Sequence, residues 1–177
     1  MMLHFILAIA AAAQLAVAFP TYKAPLTLSK VARHKQFCIF PDEFVVKNFH
    51  TWTPEAGNNR SAIVDFDYTD DSVMPAIKTK CHFNETSVNV GPKDLAARYA
   101  CENDLVQFIW CDGELTMIER ACPLETENRP FEAAGWVTPN LECFTSNRNS
   151  TAGEGHACTS SPNVMSAVFS SLQPTPN

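Results

Sequence analysis

Seven cysteines are the residues of this sequence best suited to do chemistry: Cys38, Cys81, Cys101, Cys111, Cys122, Cys143 and Cys158. Because seven is an odd number, at least one thiol has no partner within the chain. No two of them form a Cys-x-x-Cys pair, and their wide spacing argues against a zinc knuckle or ribbon. Disulfides are the chemistry they favour, provided that the protein reaches an oxidising compartment. Spacing alone selects no pairing among them.

Carboxylates are the next side chains that could do chemistry. Asp65, Asp67, Asp70 and Asp71 lie close together and could form a calcium site or a catalytic pair. However, strand alternation already explains the first two as a solvated row that faces lysines. The stretch also lacks the central Gly and closing Glu of a helix–loop–helix calcium site. We therefore interpret the acidic row as structural.

Histidines and sequence motifs point away from catalysis. His82 belongs to a charged strand face, His156 lies in a Gly-rich loop, and His50 is the third histidine in or near the domain. A lone histidine in such a place is more often a surface residue than a base or ligand. The chain has no G-x-S-x-G elbow and no H-E-x-x-H pair. We therefore predict no catalytic residue, no metal site and no cofactor, and we expect a protein that is not an enzyme.

The N-terminus predicts secretion. The stretch MMLHFILAIAAAAQLAVAFP carries no charged residue, and its apolar run ends in Ala16-Val17-Ala18, a small-residue cleavage pattern. A transmembrane helix is the alternative, but the run is short, Gln14 interrupts it and Pro20 follows at once. We therefore expect a cleaved signal peptide over 1–18 and an extracellular protein. The sequons at Asn59, Asn84 and Asn149 agree with export and are predicted glycosylation sites.

Charge is unevenly distributed along the chain. The formal net charge is −6, yet residues 19–36 carry four basic side chains and no acidic one. The remainder is therefore strongly acidic, which makes it a poor nucleic-acid binder. We expect residues 19–36 to form a flexible basic leader. A single β domain over 37–172 and a disordered tail over 173–177 complete the predicted organisation, and no membrane partner is expected.

Most of the domain has the alternating pattern of β-strands. In AIVDFDYTD and AIKTKCHF the apolar side chains occupy every second position. If these runs form a hairpin, opposite charges choose the register Val64–Cys81, Asp65–Lys80 and Asp67–Lys78. Further predicted strands are EFVVKNF, RYAC, LVQFIW, ELTMIERAC, FEAAGWV and VMSAVFSSL. The predicted fold class is all-β, a compact antiparallel barrel or sandwich.

The stretch FIWCDGELTM predicts a second hairpin with Asp112-Gly113 as its two-residue turn. The turn pairs Cys111 with Glu114 and puts Cys111 on the outer face, far from Cys122. Cys111 is therefore the odd thiol, and it is free, intermolecular or shielded and inert. On the inner face, four large side chains either fill the fold or line a ligand cavity: Phe108, Trp110, Leu115 and Met117.

Three stretches of the domain combine a distinctive cysteine spacing with the strand pattern: KTKCHFNET…ARYACENDLVQFIW, EAAGWVTPNLECFTSNRNSTAGEGHAC and AVFSSLQP. In cysteine spacing and strand pattern, these stretches together resemble the Alternaria major allergen family of fungal secreted β-barrel proteins. The resemblance runs from about Cys38 to Pro174. The sequence departs from the family prototype in Cys111, in Cys122 and in its longer basic leader.

The resemblance implies a disulfide-clipped antiparallel β-barrel secreted by a fungus. It also implies the disulfides Cys81–Cys101 and Cys143–Cys158, after which Cys38 and Cys122 fit as a clasp between the first strand and the end of the hairpin. Members of the family are associated with the interface between fungus and host, with allergenicity, and with binding of host proteins or small aromatic compounds. No ligand-binding residue is carried over.

Two hypotheses about function follow, with a remote third. The leading one is a secreted, non-enzymatic, effector- or allergen-like protein that binds a host or extracellular protein, or a small aromatic or apolar ligand. The second is a structural or self-associating protein of the cell wall or extracellular matrix, with a homodimer through Cys111 as one form. The third is a secreted hydrolase that uses two carboxylates converging in a cleft.

Overall fold

Eleven β-strands form the described part of this computed structural model, which comprises residues 22–24, 29, 38–122, 131–146 and 153–176. They are β1 (Glu43–Pro54), β2 (Ile63–Asp70), β3 (Ile77–Phe83), β4 (Tyr99–Ala100), β5 (Val106–Cys111), β6 (Glu114–Ala121), β7 (Phe131–Val137), β8 (Leu141–Ser146), β9 (Gly155–Ser160), β10 (Val164–Val168) and β11 (Ser171–Pro174). The predicted signal peptide lies outside these residues. Within them, no helix is long and apolar enough to cross a membrane.

The strands form two antiparallel sheets. The first, sheet A, has the order β3-β2-β1-β9-β8, and β10 pairs with the first half of β1. The second, sheet B, has the order β11-β7-β6-β5-β4. No described strand belongs to both sheets, so the fold is a sandwich-like form of the predicted all-β class and not a closed barrel.

Large side chains fill the space between the sheets because alternate residues of each strand point inward. Phe66 of sheet A meets Phe108 of sheet B edge to face, with ring centroids 5.1 Å apart. Phe49 and Trp110 make a second contact between the sheets, at 5.0 Å. Phe108, Leu115 and Met117 are fully buried. The inner face of the β5–β6 hairpin is therefore filled at these positions.

The β5–β6 hairpin has the predicted register. Cys111 pairs with Glu114 and Phe108 with Met117. Both turn residues have positive φ, 51° for Asp112 and 80° for Gly113. A two-residue turn of this kind matches the twist of the flanking strands, which is why the turn alone was sufficient to set the pairing.

The predicted register of the β2–β3 hairpin was wrong by two residues. The structure pairs Phe66 with Cys81, Asp65 with His82 and Asp67 with Lys80. A shift of two keeps every side chain on its predicted face. Surface charge pairs, each worth at most about 1 kcal/mol, were a weak guide to register compared with core packing.

Three segments differ from the predicted elements. β8 and β9 were not predicted as strands, although they form one edge of sheet A. The single predicted strand VMSAVFSSL divides into β10 and β11, because the chain crosses from sheet A to sheet B at residues 169–170. β11 pairs with β7 as far as Pro174, so the start of the predicted tail belongs to a strand.

Part of the predicted leader is packed against the domain. Tyr22 is buried in the core cluster, and its hydroxyl donates a hydrogen bond to the carbonyl of Pro41. An aromatic ring stabilises the fold when it leaves water, which explains why this residue departs from the expected flexible leader. The basic residues Lys30, Arg33 and Lys35 lie outside the described residues.

Disulfides join Cys38 to Cys122, Cys81 to Cys101 and Cys143 to Cys158. The second and third pairs are those that the resemblance implied, and the first is the clasp that fitted once they were assigned. The first ties the segment before β1 to the end of β6, and the second links β3 of sheet A to the residue after β4 of sheet B. The third lies within sheet A, between paired residues of β8 and β9. Two of the three therefore hold the sheets together.

Candidate functional site

Two acidic side chains lie inside the sandwich, where strand alternation places apolar residues. Asp70 ends the inward row of β2, after Tyr68, and Glu119 occupies an inward position of β6. Asp70 is 0% exposed and Glu119 is 1% exposed. We call Tyr68, Asp70 and Glu119 the acid cluster. Burying ionisable groups is costly unless they are neutral or paired, so the partners of these groups decide what they do.

Hydrogen bonds hold both carboxyl groups in place. The hydroxyl of Tyr68 donates to Oε2 of Glu119 at 2.6 Å. The backbone N–H and the hydroxyl of Ser72 both donate to Oδ1 of Asp70, each at 2.6 Å. The Ser72 hydroxyl in turn accepts a hydrogen bond from the backbone N–H of Asp42 at 3.0 Å. Asp70 thus also organises the turn that follows β2.

Burial and, to a smaller extent, the negative charge of Asp70 together raise the pKa of Glu119 to about 8. Burial also raises the pKa of Asp70, although the hydrogen bonds from Ser72 oppose that shift. The pKa of the Tyr68 hydroxyl lies well above its ordinary value because of burial and the neighbouring Glu119. At neutral pH Glu119 therefore carries a proton.

The proton on Glu119 can satisfy a buried oxygen of Asp70 that has no other donor in the described part of the chain. Oδ2 of Asp70 is buried and receives no hydrogen bond from an N–H or hydroxyl donor of the described residues. Asp70 and Glu119 lie within hydrogen-bonding reach of each other. Protonated Glu119 can therefore donate to Asp70 while it accepts from Tyr68. A chain of this kind satisfies groups that would be costly if left unpaired.

An apolar cleft opens beside the acid cluster, and we call it the Met74 cleft. Its volume is about 150 Å³. The rim carries two exposed apolar side chains, Met74, which is 61% exposed, and Ile39, which is 40% exposed. Its walls come from residues 73–77, from Pro41 and Leu105, and from the end of β6 at residues 119–122. Glu119 supplies a polar group to the wall.

The chemistry open to this site is binding more than catalysis. Hydrolysis by two carboxyl groups needs one with a raised pKa as the acid and a second that stays ionised, and the third hypothesis asked for two carboxylates converging in a cleft. Here, however, both groups are buried and already engaged with protein partners. Of the two, only Glu119 borders the cleft, so a scissile bond held there would meet one carboxyl group and not the pair. The cleft in front of Glu119 can take an apolar group from solvent without such a pair.

Cys111, the predicted odd thiol, is exposed at the tip of the β5–β6 hairpin. Its Sγ donates a hydrogen bond to Oδ2 of Asp112 at 3.4 Å. This hydrogen bond and the negative charge of Asp112 raise the pKa of the thiol. Since the thiolate is the reactive form, the surroundings of Cys111 disfavour a reactive thiol. Cys111 and the acid cluster lie at opposite ends of the β5–β6 hairpin. Cys111 is next to the turn, whereas Glu119 pairs with Val106 at the far end of β5.

The acidic row predicted from sequence divides between the two faces of β2. Asp65 and Asp67 point outward, and Oδ2 of Asp67 accepts a hydrogen bond from Nδ2 of Asn48 at 2.6 Å. Asp71 forms an exposed ion pair with Lys78 at 3.6 Å. Asp70, in contrast, belongs to the core. Three of the four residues therefore lie at the surface, and Asp70 belongs to the acid cluster instead.

The remaining predicted candidates lie on the surface. His50 and His82 flank Asp65 across adjacent strands, and His156 lies on β9. Among the described residues, no three His, Cys, Asp or Glu side chains are placed to hold a metal ion. Asn59 lies in an exposed loop, Asn84 lies in the turn after β3, and Asn149 lies outside the described residues.

Sequence reasoning missed the acid cluster, although the sequence carries a signal for it. In ELTMIERA the inward positions are Leu115, Met117, Glu119 and Ala121, so a carboxyl group stands in an apolar row. Asp70 interrupts the inward row of β2 in the same way. An ionisable residue at an inward position is unusual unless it is paired, and two such positions could have been expected to meet.

The chain is similar in structure to two crystal structures of the Alternaria alternata major allergen Alt a 1. In the first, the similarity covers 76% of this chain and 95% of the allergen chain, with 14% sequence identity and a TM-score of 0.47. In the second, it covers 76% of this chain and 89% of the allergen chain, with 14% identity and a TM-score of 0.48. No family model matches the chain, and no curated protein matches it.

Proposed function

We propose that this protein is a secreted, non-enzymatic binding protein, which captures an apolar group of an extracellular partner in the Met74 cleft. The observation that carries the proposal is the rim of the cleft, where Met74 and Ile39 expose apolar surface to solvent. Large exposed apolar side chains beside a concave surface are typical of interaction sites. The partner class is a host or other extracellular protein.

The size of the cleft favours a protein partner over a whole small molecule. Pockets for small ligands enclose about 300–1,000 Å³, whereas the Met74 cleft encloses about 150 Å³. It can therefore take one ring or one branched side chain. Protein interfaces concentrate their binding energy in such anchors, which fill small desolvated pockets.

Glu119, the polar group in the wall of the Met74 cleft, is compatible with an apolar guest only while its carboxyl group is neutral. With its raised pKa, Glu119 presents a carboxylic acid at neutral pH and not a carboxylate. An ionised group at this position would demand water or a cation and would disfavour apolar contact. The acid cluster thus supports binding in the cleft at neutral and acidic pH.

Secretion is supported by two independent features. The N-terminal apolar run with Ala16-Val17-Ala18 has the pattern of a cleaved signal peptide. Three disulfides in the described residues are typical of proteins that mature in an oxidising compartment.

Mass spectrometry of material that co-purifies with the native secreted protein tests the proposal. Met74→Glu places a charge at the rim of the cleft, and Val88→Glu is a matched control, since Val88 is 73% exposed and does not line the cleft. We expect a protein partner that is lost with Met74→Glu and kept with Val88→Glu. A partner that survives both substitutions, or none with the wild type, would contradict binding in the cleft.

Self-association is the second candidate function, and exposed Cys111 is the observation that favours it. An unpaired exposed cysteine in a secreted protein can form an intermolecular disulfide. Non-reducing gels of wild type and Cys111→Ser decide whether it does. A wild-type dimer that disappears in Cys111→Ser supports the idea, whereas a monomer in both identifies an inert thiol.

A further inference from the structure

A polar groove of about 470 Å³ lies on the outer face of sheet A, beside the end of β3. Trp52 and Ile63 line it, together with Arg60 and Ser61 from the loop before β2 and residues 84–86 from the turn after β3. The groove shares no residue with the Met74 cleft. Its lining combines polar groups with apolar side chains, which complements the hydroxyl groups and the apolar face of a sugar ring.

The strand register explains why these residues meet. Trp52 of β1 pairs with Ile63 of β2. Val64 pairs with Phe83, so the next position of each strand sets Ile63 beside Asn84. Neighbouring strands lie about 4.8 Å apart, which makes Trp52, Ile63 and Asn84 a continuous row on the outer face. Asn84 therefore stands at the end of the row, where β3 ends.

Asn84 is held in a turn that leaves one of its side-chain groups available. The backbone N–H of Thr86 donates to Oδ1 of Asn84 at 2.9 Å, and the Thr86 hydroxyl donates to the same oxygen at 2.7 Å. Within the described residues, Nδ2 of Asn84 donates no hydrogen bond. Asn84 is also the first residue of the sequon Asn84-Glu85-Thr86. A substituent on Nδ2 would break none of these hydrogen bonds.

We infer that Asn84 carries an N-linked glycan whose first N-acetylglucosamine lies in this groove against Ile63. The sugar donor is an oligosaccharyl diphosphate lipid of the secretory pathway. Transfer breaks the bond between sugar C1 and the diphosphate oxygen and forms a bond between C1 and Nδ2. Nδ2 loses one proton to a base, and the lipid diphosphate leaves with the electron pair of the broken bond.

The walls and the floor offer complementary contacts to the sugar. The guanidinium of Arg60 and the hydroxyl of Ser61 are hydrogen-bond donors, and the carboxylate of Glu85 is an acceptor. The apolar face of the sugar ring can cover Ile63, which is only partly buried by the protein. This glycan therefore completes the outer face of the sheet and is more than a solubilising group.

The other described sequon provides a matched comparison. Asn59 is exposed in the same loop as Arg60 and Ser61, yet its side chain does not line the groove. A glycan on Asn59 is expected to extend into solvent. Asn59 and Asn84 are therefore sequon asparagines in the same part of the molecule, but only a glycan on Asn84 is expected to contact the protein.

The full chain from a eukaryotic secretory host can be compared with the same chain from a bacterial periplasm, where disulfides form without this glycosylation. Glycopeptide mass spectrometry reports the occupancy of Asn84, and hydrogen exchange reports protection of residues 60–63. We expect an occupied Asn84, slower exchange at 60–63 and a Tm about 2–4 °C higher for the glycosylated protein. Trimming each glycan to its first N-acetylglucosamine is expected to keep both effects. The variant Asn59→Gln is also expected to keep the slower exchange and the higher Tm.

Three results would overturn the inference. They are an unmodified Asn84 in the secreted protein, equal exchange and equal Tm in the two preparations, and protection that is lost with Asn59→Gln. The inference rests on the proposed secretion but not on the proposed partner. Because the groove and the Met74 cleft share no residue, Met74→Glu tests partner binding without disturbing the glycan.

Discussion

The hydroxyl of Tyr68 in sheet A lies 2.6 Å from Oε2 of Glu119 in sheet B, and this hydrogen bond connects the two sheets across the core. Both side chains are fully buried. The bond is compatible with an apolar interior because Glu119, whose pKa is raised to about 8, is neutral when the bond forms. The stability of the sandwich is therefore linked to pH.

Stability is expected to fall as the pH rises from about 4.5 to about 8. The unfolded chain releases the Glu119 proton near its ordinary pKa of 4.5, whereas the folded protein keeps it to about 8. Between these values the unfolded state binds fewer protons, so the free energy of unfolding decreases with pH. Glu119→Gln, which keeps a neutral polar group, is expected to flatten this dependence. At pH 9 we expect it to be about 2–4 kcal/mol more stable than wild type.

Urea unfolding at several pH values measures this effect. Asp67→Asn is the control, because Asp67 is at the surface and its removal is expected to leave the pH profile between 4.5 and 8 unchanged. An unchanged profile in Glu119→Gln would show that another group holds the proton.

Removing the Tyr68 hydroxyl is expected to weaken the connection between the sheets. Tyr68→Phe leaves Oε2 of Glu119 without its donor, and a buried unsatisfied group costs about 1–3 kcal/mol. Tyr99→Phe is the matched control, since Tyr99 packs by its ring against Phe83 and Phe108. Thermal unfolding of the two variants should differ, with the larger loss of Tm in Tyr68→Phe. Equal losses would contradict the assigned bond.

The buried ion pair Arg98–Glu132 is expected to respond much more strongly than an exposed one. Nη1 of Arg98 lies 3.0 Å from both carboxylate oxygens of Glu132, and the two side chains are 9% and 6% exposed. Glu132→Gln leaves a buried cation uncompensated, which costs about 3–5 kcal/mol. The exposed pair Lys78–Asp71 provides the comparison, and Asp71→Asn should change stability by less than about 1 kcal/mol. Similar losses in chemical denaturation would argue against a tightly buried pair.

The Cys38–Cys122 disulfide is expected to stabilise the protein more than the other two. Its cysteines are 84 residues apart, against 20 for Cys81–Cys101 and 15 for Cys143–Cys158. The chain-entropy model assigns about 4–5 kcal/mol to the longest loop and about 3 kcal/mol to the shortest. Double Cys→Ser variants of each pair, compared by urea unfolding, should follow this order. A smaller loss for the Cys38 and Cys122 variant would contradict it.

The β5–β6 hairpin could be predicted in detail because its information is local. Asp112-Gly113 specifies a two-residue turn, and the turn then sets every cross-strand pair from Cys111–Glu114 to Val106–Glu119. The β2–β3 hairpin has a longer connection, from Asp71 to Ala76, that imposes no such register. The predicted register therefore rested only on weak surface charge pairs. Packing of the aromatic side chains in the core favours the observed register instead.

The candidate site could be predicted only in part. Period-two alternation placed Cys111 outside, and the same alternation puts Asp70 and Glu119 at inward positions, a signal that the interpretation of the acidic row as structural overlooked. It could not show that the two acids meet, because they lie on different sheets and 49 residues apart in the chain. The Met74 cleft could not be predicted from the sequence, since its walls come from four separate segments of the chain.

Three features can be predicted from neighbours along the chain: the all-β class, the face on which most strand residues lie and the hairpin tip that exposes Cys111. Four others become visible only in the folded protein: the open sandwich, the strands β8 and β9, the burial of Tyr22 and the contact between Asp70 and Glu119. Distance along the chain separates the two groups. Alternation and turn chemistry act over a few residues, whereas sheet packing and the pKa of a buried acid depend on groups that only the folded chain brings together.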